Sequence, residues 1–401
     1  MVDDGAEKDE VTVVERSASS PTPRQPVRAD VVGSLLRPTR VRALFEELFA
    51  DKETQITNFI EADRHDKLEE LNALADELIG EAVARQIAVG LDVVSDGEMR
   101  RALFENSLYE GIEGISPNPR RAEFTDASAD AVAPPSTPKI TAKVRKVSSP
   151  AAREAAFMRS VTDFPFKVTF PAASMLLFPE TGLEPGAYSD RDEMVADMLE
   201  IYAEMVQDAV RAGARYIQFD FPIYPLLIDR RSTEALKELG EDLESMLTKA
   251  IVADAAAATS VPEGVTSALH LCRGNYRSHW FLEGALDSIA ERMFSELPYD
   301  RFLFEWEDTE REGGYEPIRH VPKGKVMVMG IVNTKVREVE SEDDLLRRME
   351  EAATYLDPGQ LAISPQCGFA SVWEGNATDE DIQWRKLELV GRVADRIWGA
   401  R

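Results

Sequence analysis

Histidine and cysteine are scarce in this 401-residue chain, which has four of the first and two of the second. One of each meets in the apolar run Ala268-Leu269-His270-Leu271-Cys272. On an extended strand, residues two apart point to the same side, so imidazole and thiol share a face. The other cysteine, Cys367, closes a comparable run that starts at Leu361, and between the two Phe302-Leu303-Phe304 ends in Glu305. Three strand-like segments thus each bring a metal-competent group to their C-terminal end. Two thiolates, an imidazole and a carboxylate form a donor set suited to four-coordinate Zn²⁺. A buried cysteine or strand histidine taken alone is more simply a packed or hydrogen-bonded core residue. The joint occurrence at equivalent strand ends is what argues for one shared metal site made of His270, Cys272, Glu305 and Cys367. His270-x-Cys272 is too tight, and Cys367 too remote, for a local zinc ribbon. Ligands gathered from distant strand ends suggest catalysis.

The elements that must position these groups alternate along the chain. Val27 to Val32, Leu91 to Ser95, Phe166 to Phe170, Tyr216 to Asp220, the three ligand-bearing runs and Lys325 to Val332 read as strands. Helical spacing of apolar residues predicts helices over Thr39 to Phe49, Arg64 to Val89, a stretch containing Met194, Met198, Ile201, Met205 and Val210, then Thr233 to Thr259, Leu282 to Glu296, Ser341 to Tyr355 and Asp379 to Trp398. Eight strands mostly followed by helices predict an α/β fold of the (β/α)₈ TIM-barrel type, in which chemistry sits at the C-terminal strand ends. Ser34, Glu98 and Asp220 fall at such ends, with the four metal-competent residues. Asp96-Gly97-Glu98 by itself reads as an ordinary surface turn. Residues 1–26 read as a disordered tail and 27–401 as a single barrel domain, with an excursion after the second strand at 115–160. Within that excursion Ile140 to Val147 alternates as a half-exposed strand would, beside the proline-rich stretch Ala133 to Pro138.

Composition bounds the function. The chain has 73 acidic against 46 basic residues, a formal charge of −27, which argues against nucleic acid or an anionic membrane as partner. No apolar stretch has membrane-spanning length, and the first residues lack the apolar core of a signal peptide. Two distant cysteines fit a reducing compartment, so a cytoplasmic enzyme or binding protein is expected.

With these residues placed, the chain resembles the cobalamin-independent methionine synthases, namely their C-terminal catalytic barrel and its single-barrel relatives, from about Arg28 to Trp398. Val32-Gly33-Ser34 resembles the family's first-strand loop, Asp96-Gly97-Glu98 the turn whose glutamate holds the homocysteine amine, and Gln218-Phe219-Asp220 the strand end carrying a second amine-binding acid. His270-Leu271-Cys272, Glu305 and Ser364-Pro365-Gln366-Cys367-Gly368 match the family's four zinc ligands in type and order. The family usually has an acid before the proline that follows Asp220, where this chain has Phe221; a histidine that the two-barrel synthases use near the methyl donor is replaced here by Asn333. The resemblance implies a Zn²⁺-dependent methyltransferase that activates a thiol, homocysteine first, for methyl transfer to give methionine, with methyltetrahydrofolate or another methyl carrier as donor. It also implies that Ser34, Glu98 and Asp220 bind substrate, with no catalytic residue beyond the metal ligands. A free thiol has a pKa of roughly 8.5, and binding to Zn²⁺ deprotonates it. The nearest rival is an epoxide:coenzyme M transferase, a related zinc enzyme whose substrate bears a sulfonate and no amine. Such a substrate calls for basic residues where Glu98 and Asp220 stand. A binding protein with a structural zinc is a further alternative, and metal removal would then unfold it.

Overall fold

Six parallel strands carry the main sheet, and what precedes them closes it. The structure is a computed structural model and describes residues 26–49, 56, 64–117, 138–179 and 181–399. Its strands are β1 (Ile112–Ser116), β2 (Lys139–Lys146), β3 (Val168–Pro171), β4 (Gly182–Leu183), β5 (Tyr216–Asp220), β6 (Thr266–Leu271), β7 (Arg301–Glu305), β8 (Val326–Val332) and β9 (Leu361–Pro365). The order β3-β5-β6-β7-β8-β9 is parallel throughout. The two remaining expected strands are present as extended segments with a single bridge each, Ala29 to Ile363 of β9 and Val94 to Phe166 beside β3. Backbone bonds join them to the sheet and to one another: Asp30 N–H donates to Ile363 (2.9 Å), Asp92 N–H to Ala29 (2.9 Å) and Lys167 N–H to Val94 (2.9 Å). The ring of eight is thereby complete, and the fold is an α/β barrel. Its first segment is not a full strand because the Asp92 carboxylate takes the Arg28 and Ala29 N–H groups (2.7 and 2.8 Å) that a ladder would use.

Inside the ring Val93, Tyr216, Ala268, Leu303, Val328 and Ala362 form one buried cluster, the side-chain layer that fills such a barrel. Residues of the opposite parity, among them Phe219, Phe302, Phe304 and Met329, pack outward under the helices. At the N-terminal strand ends Asp30 is ion-paired with Lys167 (2.6 Å) and Arg301 (3.2 Å), all buried.

The helices fall largely where apolar spacing puts them: Thr39–Phe49, His65–Ala88, Arg191–Arg211, Glu342–Ala352 and Glu380–Trp398. Asp190, Ser341 and Asp379 cap three of them by accepting N–H groups of the first turn. Two expectations change. The single helix over Thr233 to Thr259 is two, Arg230–Glu238 and Leu243–Thr259, because Gly240 turns the chain in the left-handed region (φ 82°) and Asp242 caps a new start. The helix from Leu282 is confined to Ala290–Glu296, preceded by a single 3₁₀ turn at Leu286–Ser288. The excursion contains β1 and β2, paired antiparallel, then the helix Pro150–Val161; β4 adds to the edge of β2. The expected tail up to residue 25 and the proline-rich stretch at 133–137 lie outside the described residues. Among the described residues no helix is long and apolar enough to cross a membrane.

Candidate active site

The parallel register of β6 against its neighbours puts the scarce residues at one end of the barrel. One ligand atom each of His270, Cys272 and Cys367 lies within 4.8 Å of the others, and all three side chains are buried. His270 Nδ1 is engaged with the Leu303 carbonyl (3.0 Å), which leaves Nε2, buried and without a partner, to face the sulfurs. A carbonyl held on one ring nitrogen orients the other toward a metal. Both cysteines are free. Their thiols are paired: the bond from Cys272 holds Cys367 well below the ordinary thiol range, and Cys272 is correspondingly pushed up. Two soft donors, bonded to each other, therefore stand next to a buried imidazole nitrogen. That chemistry fits a zinc ion.

Glu305, the fourth residue of the expected set, ends β7 but stands apart from the other three. Its Oε1 pairs with Lys335 and with Arg311 (3.3 Å), and its Oε2 accepts the Arg273 N–H. Burial alone would raise its pKa, yet Lys335, Arg311 and Arg273 bring it down to about 2. Glu307 and Glu312 complete this second cluster, one carboxylate oxygen each of Glu305, Glu307 and Glu312 lying within 4.8 Å of the others. Lys335 bridges Glu305 to Glu307 (3.2 Å) and Arg311 reaches all three acids.

Opposite the thiols stand two carboxyl groups. Glu98 sits in a left-handed conformation (φ 54°) directly after Gly97 (φ 68°), so the turn aims its side chain inward. Its Oε1 accepts the Thr169 hydroxyl (3.0 Å) and lies 3.6 Å from Arg101, while Oε2 is buried without a partner. Gly33 is needed for this approach, since a Cβ there would come within 2.8 Å of Glu98 Oε1. Asp220 at the end of β5 accepts Gln218 Nε2 (2.7 Å), and Gln218 is itself held by Lys167 (2.7 Å). Burial pushes Glu98 up to about 7, against the pull of Arg101 and with a push from Asp220. It pushes Asp220 up to about 6, with His270 opposing. Ser34 is buried beside Gly368, where its Oγ accepts the Ala370 N–H (3.3 Å). Val32, Ser34, Glu98, Asp220, His270, Cys272 and Cys367 all line one cavity of about 620 Å³.

The comparisons with known proteins bear on this arrangement. The family model described as the cobalamin-independent synthase catalytic domain matches residues 52–381. The chain belongs to that family. YxjH of Bacillus subtilis, an uncharacterised protein, is 33% identical over 94% of this chain and 96% of its own. A methionine synthase of Saccharolobus solfataricus is 24% identical over 84% of this chain and 86% of its own. Among solved structures, a candidate vitamin-B12-independent methionine synthase from Listeria monocytogenes superposes with a TM-score of 0.69 at 26% identity, covering 94% of this chain and all of that one.

Several residues of this synthase-family site escape sequence reasoning. Arg37 is buried and donates to the carbonyls of Leu35, Ala370, Glu98 and Arg101, stapling three loops at the barrel mouth. Arg101 joins Glu154 (2.8 Å) and Thr169 (2.7 Å) behind Glu98. Lys335 lies two residues past the Asn333 that follows β8, a spacing that signals little on its own. Asn275 donates to the Gly368 carbonyl (2.8 Å) and leaves a buried oxygen in the cavity wall.

Proposed function

We propose that the protein is a zinc-dependent thiol methyltransferase that takes homocysteine as acceptor and releases methionine. One observation carries this reading: a His-Cys-Cys cluster and two inward carboxyl groups share a cavity, so a thiol and an ammonium of one small amino acid can be held together. His270 Nε2 and the sulfurs of Cys272 and Cys367 would hold the ion; Glu305 would complete the set on leaving Lys335 and Arg311. Bound zinc lowers the pKa of an added thiol, so that a thiolate is present at neutral pH. The chain's own groups do the rest. Glu98 and Asp220, ionised by the arriving ammonium, bind it as charge-assisted partners. Gln218 orients Asp220, and Thr169 and Arg101 orient Glu98. The surrounding apolar wall excludes water from the thiolate. Methyl transfer needs the acceptor sulfur in line with the donor's methyl carbon, which is a positioning task.

Two buried acids disfavour a sulfonate-bearing thiol, whose negative charge would face their carboxyl groups. Calorimetric titration of the zinc-loaded protein separates the readings. L-Homocysteine should bind with release of about one proton from its thiol and a further fraction from Glu98, and coenzyme M should give no heat. Coenzyme M binding without homocysteine binding would move the protein to the epoxide branch. Silence with both would end the thiol reading.

A further inference from the structure

A second part of the cavity wall is aromatic. Phe221 is its hub: the Phe178 ring stacks on it at 5.5 Å, Phe104 meets it edge-on at 6.3 Å and Phe281 tilts against it at 6.4 Å. All four rings line the cavity and remain half-buried, so their exposed surface faces its interior. Phe221 is held in the left-handed region (φ 59°), a conformation that a bulky side chain seldom adopts. Its N–H donates to the His270 carbonyl (3.0 Å), and it follows Asp220 directly. That strain is maintained where it sets an aromatic face beside the acceptor site.

Next to Phe104 stands Glu105, which is 4% exposed, lines the same cavity and has a buried Oε2 with no hydrogen-bond partner. Around the cavity the acids are Glu98, Glu105 and Asp220, with two thiols. Among the described residues that line it, the only basic side chains are His270, which belongs to the metal cluster, and the exposed Arg231. A polyanionic methyl carrier entering here would meet carboxyl groups. A cation would meet aromatic faces and a carboxyl that lacks a partner, the combination that attracts onium groups.

We propose that this aromatic part is the donor subsite and that it takes a methyl-onium cation, a sulfonium or quaternary ammonium whose methyl is carried on the charged atom. The inference rests on the thiol-methyltransferase reading above. For a sulfonium, the acceptor sulfur forms a bond to the methyl carbon as the carbon–sulfur bond of the donor breaks. The electron pair of that bond returns to the departing sulfur, which leaves as a neutral thioether. No proton and no redox partner enter the step. Burial alone pushes the Glu105 carboxyl up to about 8, so an arriving cation would stabilise its ionised form.

The test uses the zinc-loaded full chain with homocysteine and ¹³C-methyl trimethylsulfonium, followed by NMR. Labelled methionine and dimethyl sulfide should appear. Tetramethylammonium should compete, which separates the ammonium from the sulfonium source: turnover of labelled tetramethylammonium instead would assign the ammonium. Glu105→Gln should weaken cation binding about tenfold, the loss of one charge-assisted contact of about 1.4 kcal/mol. Phe221→Leu, which keeps an apolar side chain, should weaken it as well and covers the case in which the first variant fails to fold. The inference is overturned if homocysteine binds with proton release but neither cation binds, or if both variants bind cations as the parent does. Consumption of 5-methyltetrahydropteroylglutamate with no response to onium ions would also overturn it and leave the thiol reading standing. If homocysteine itself does not bind, the thiol reading falls, and this inference falls with it.

Discussion

A buried imidazole nitrogen with no partner, 2% exposed as part of His270, is costly unless something occupies its lone pair. Zinc content is therefore the residue-scale test of the cluster. Cys272→Ser and Cys367→Ser should each cut bound zinc at least tenfold in equilibrium dialysis, since a hydroxyl is a poor substitute for a thiolate. Full zinc occupancy in both variants would remove these residues from the ligand set. Glu98 and Asp220 call for a different measurement. Methionine has the ammonium but no thiol proton, so its affinity isolates the two acids. It should tighten as pH rises through the range from about 6 to about 7, where Asp220 and Glu98 ionise. Glu98→Gln should flatten the upper part of that rise. The same raised pKa acts on stability with the opposite sign. Between the unfolded value near 4.5 and the folded value of about 7, the native protein holds a proton that the unfolded chain releases. Glu98 therefore costs stability progressively as pH climbs through that window. A methionine affinity independent of pH would show that these carboxyl groups do not bind the amine.

At the scale of elements, the ends of β7 and β8 are joined by the Lys335–Glu305–Arg311 cluster, whose ionised groups are buried together. Such networks add little when intact but cost heavily when one partner is removed, roughly 3–5 kcal/mol. Lys335→Met should therefore lower the stability of the metal-free protein by an amount in that range, read from the urea midpoint. With Glu305 depressed to about 2, the cluster's contribution is present above the ordinary glutamate range and is lost as pH falls toward 2. An unchanged midpoint at neutral pH would mean that solvent reaches the cluster. The same cluster explains why Glu305, correctly located at a strand end, is not gathered with His270, Cys272 and Cys367: two cations from the loops after β7 and β8 hold it. The helix break at Gly240 has an equally local cause, an achiral residue followed by an aspartate cap.

For the whole molecule, the dominant quantity is a formal charge of −27. Many surface acids are paired, as in Arg292 with Glu244 and Glu296 or Lys249 with Asp192, but 73 acidic residues outnumber the cations by far. Net self-repulsion destabilises the compact state and is screened by salt over a Debye length of about 10 Å at 0.1 M and about 3 Å at 1 M. Melting temperature should therefore rise between those two NaCl concentrations, as measured by differential scanning calorimetry. A fall would show that the exposed ion pairs outweigh the repulsion.

What the sequence determined by itself was the set of elements and the ends at which chemistry-bearing residues stand. Strand and helix periods are local properties of the chain, and a barrel of alternating elements delivers strand ends to one face whatever the loops do. The thiols, His270 and the acids at Glu98 and Asp220 were legible for that reason. Tertiary structure alone decided four things. It made the first strand into a single-bridge segment, because Asp92 intercepts backbone donors 63 and 64 residues away. It engaged Glu305 with Lys335, 30 residues on, and it drew Arg37, Arg101 and Glu105 into the site. It also set the ionisation of Glu98 and Asp220. Charge state depends on how much water and which countercharges surround a group, and in this fold the burial and the coupling of Glu98 to Asp220 and Arg37 come from residues distant in the chain, with Arg101 a near neighbour.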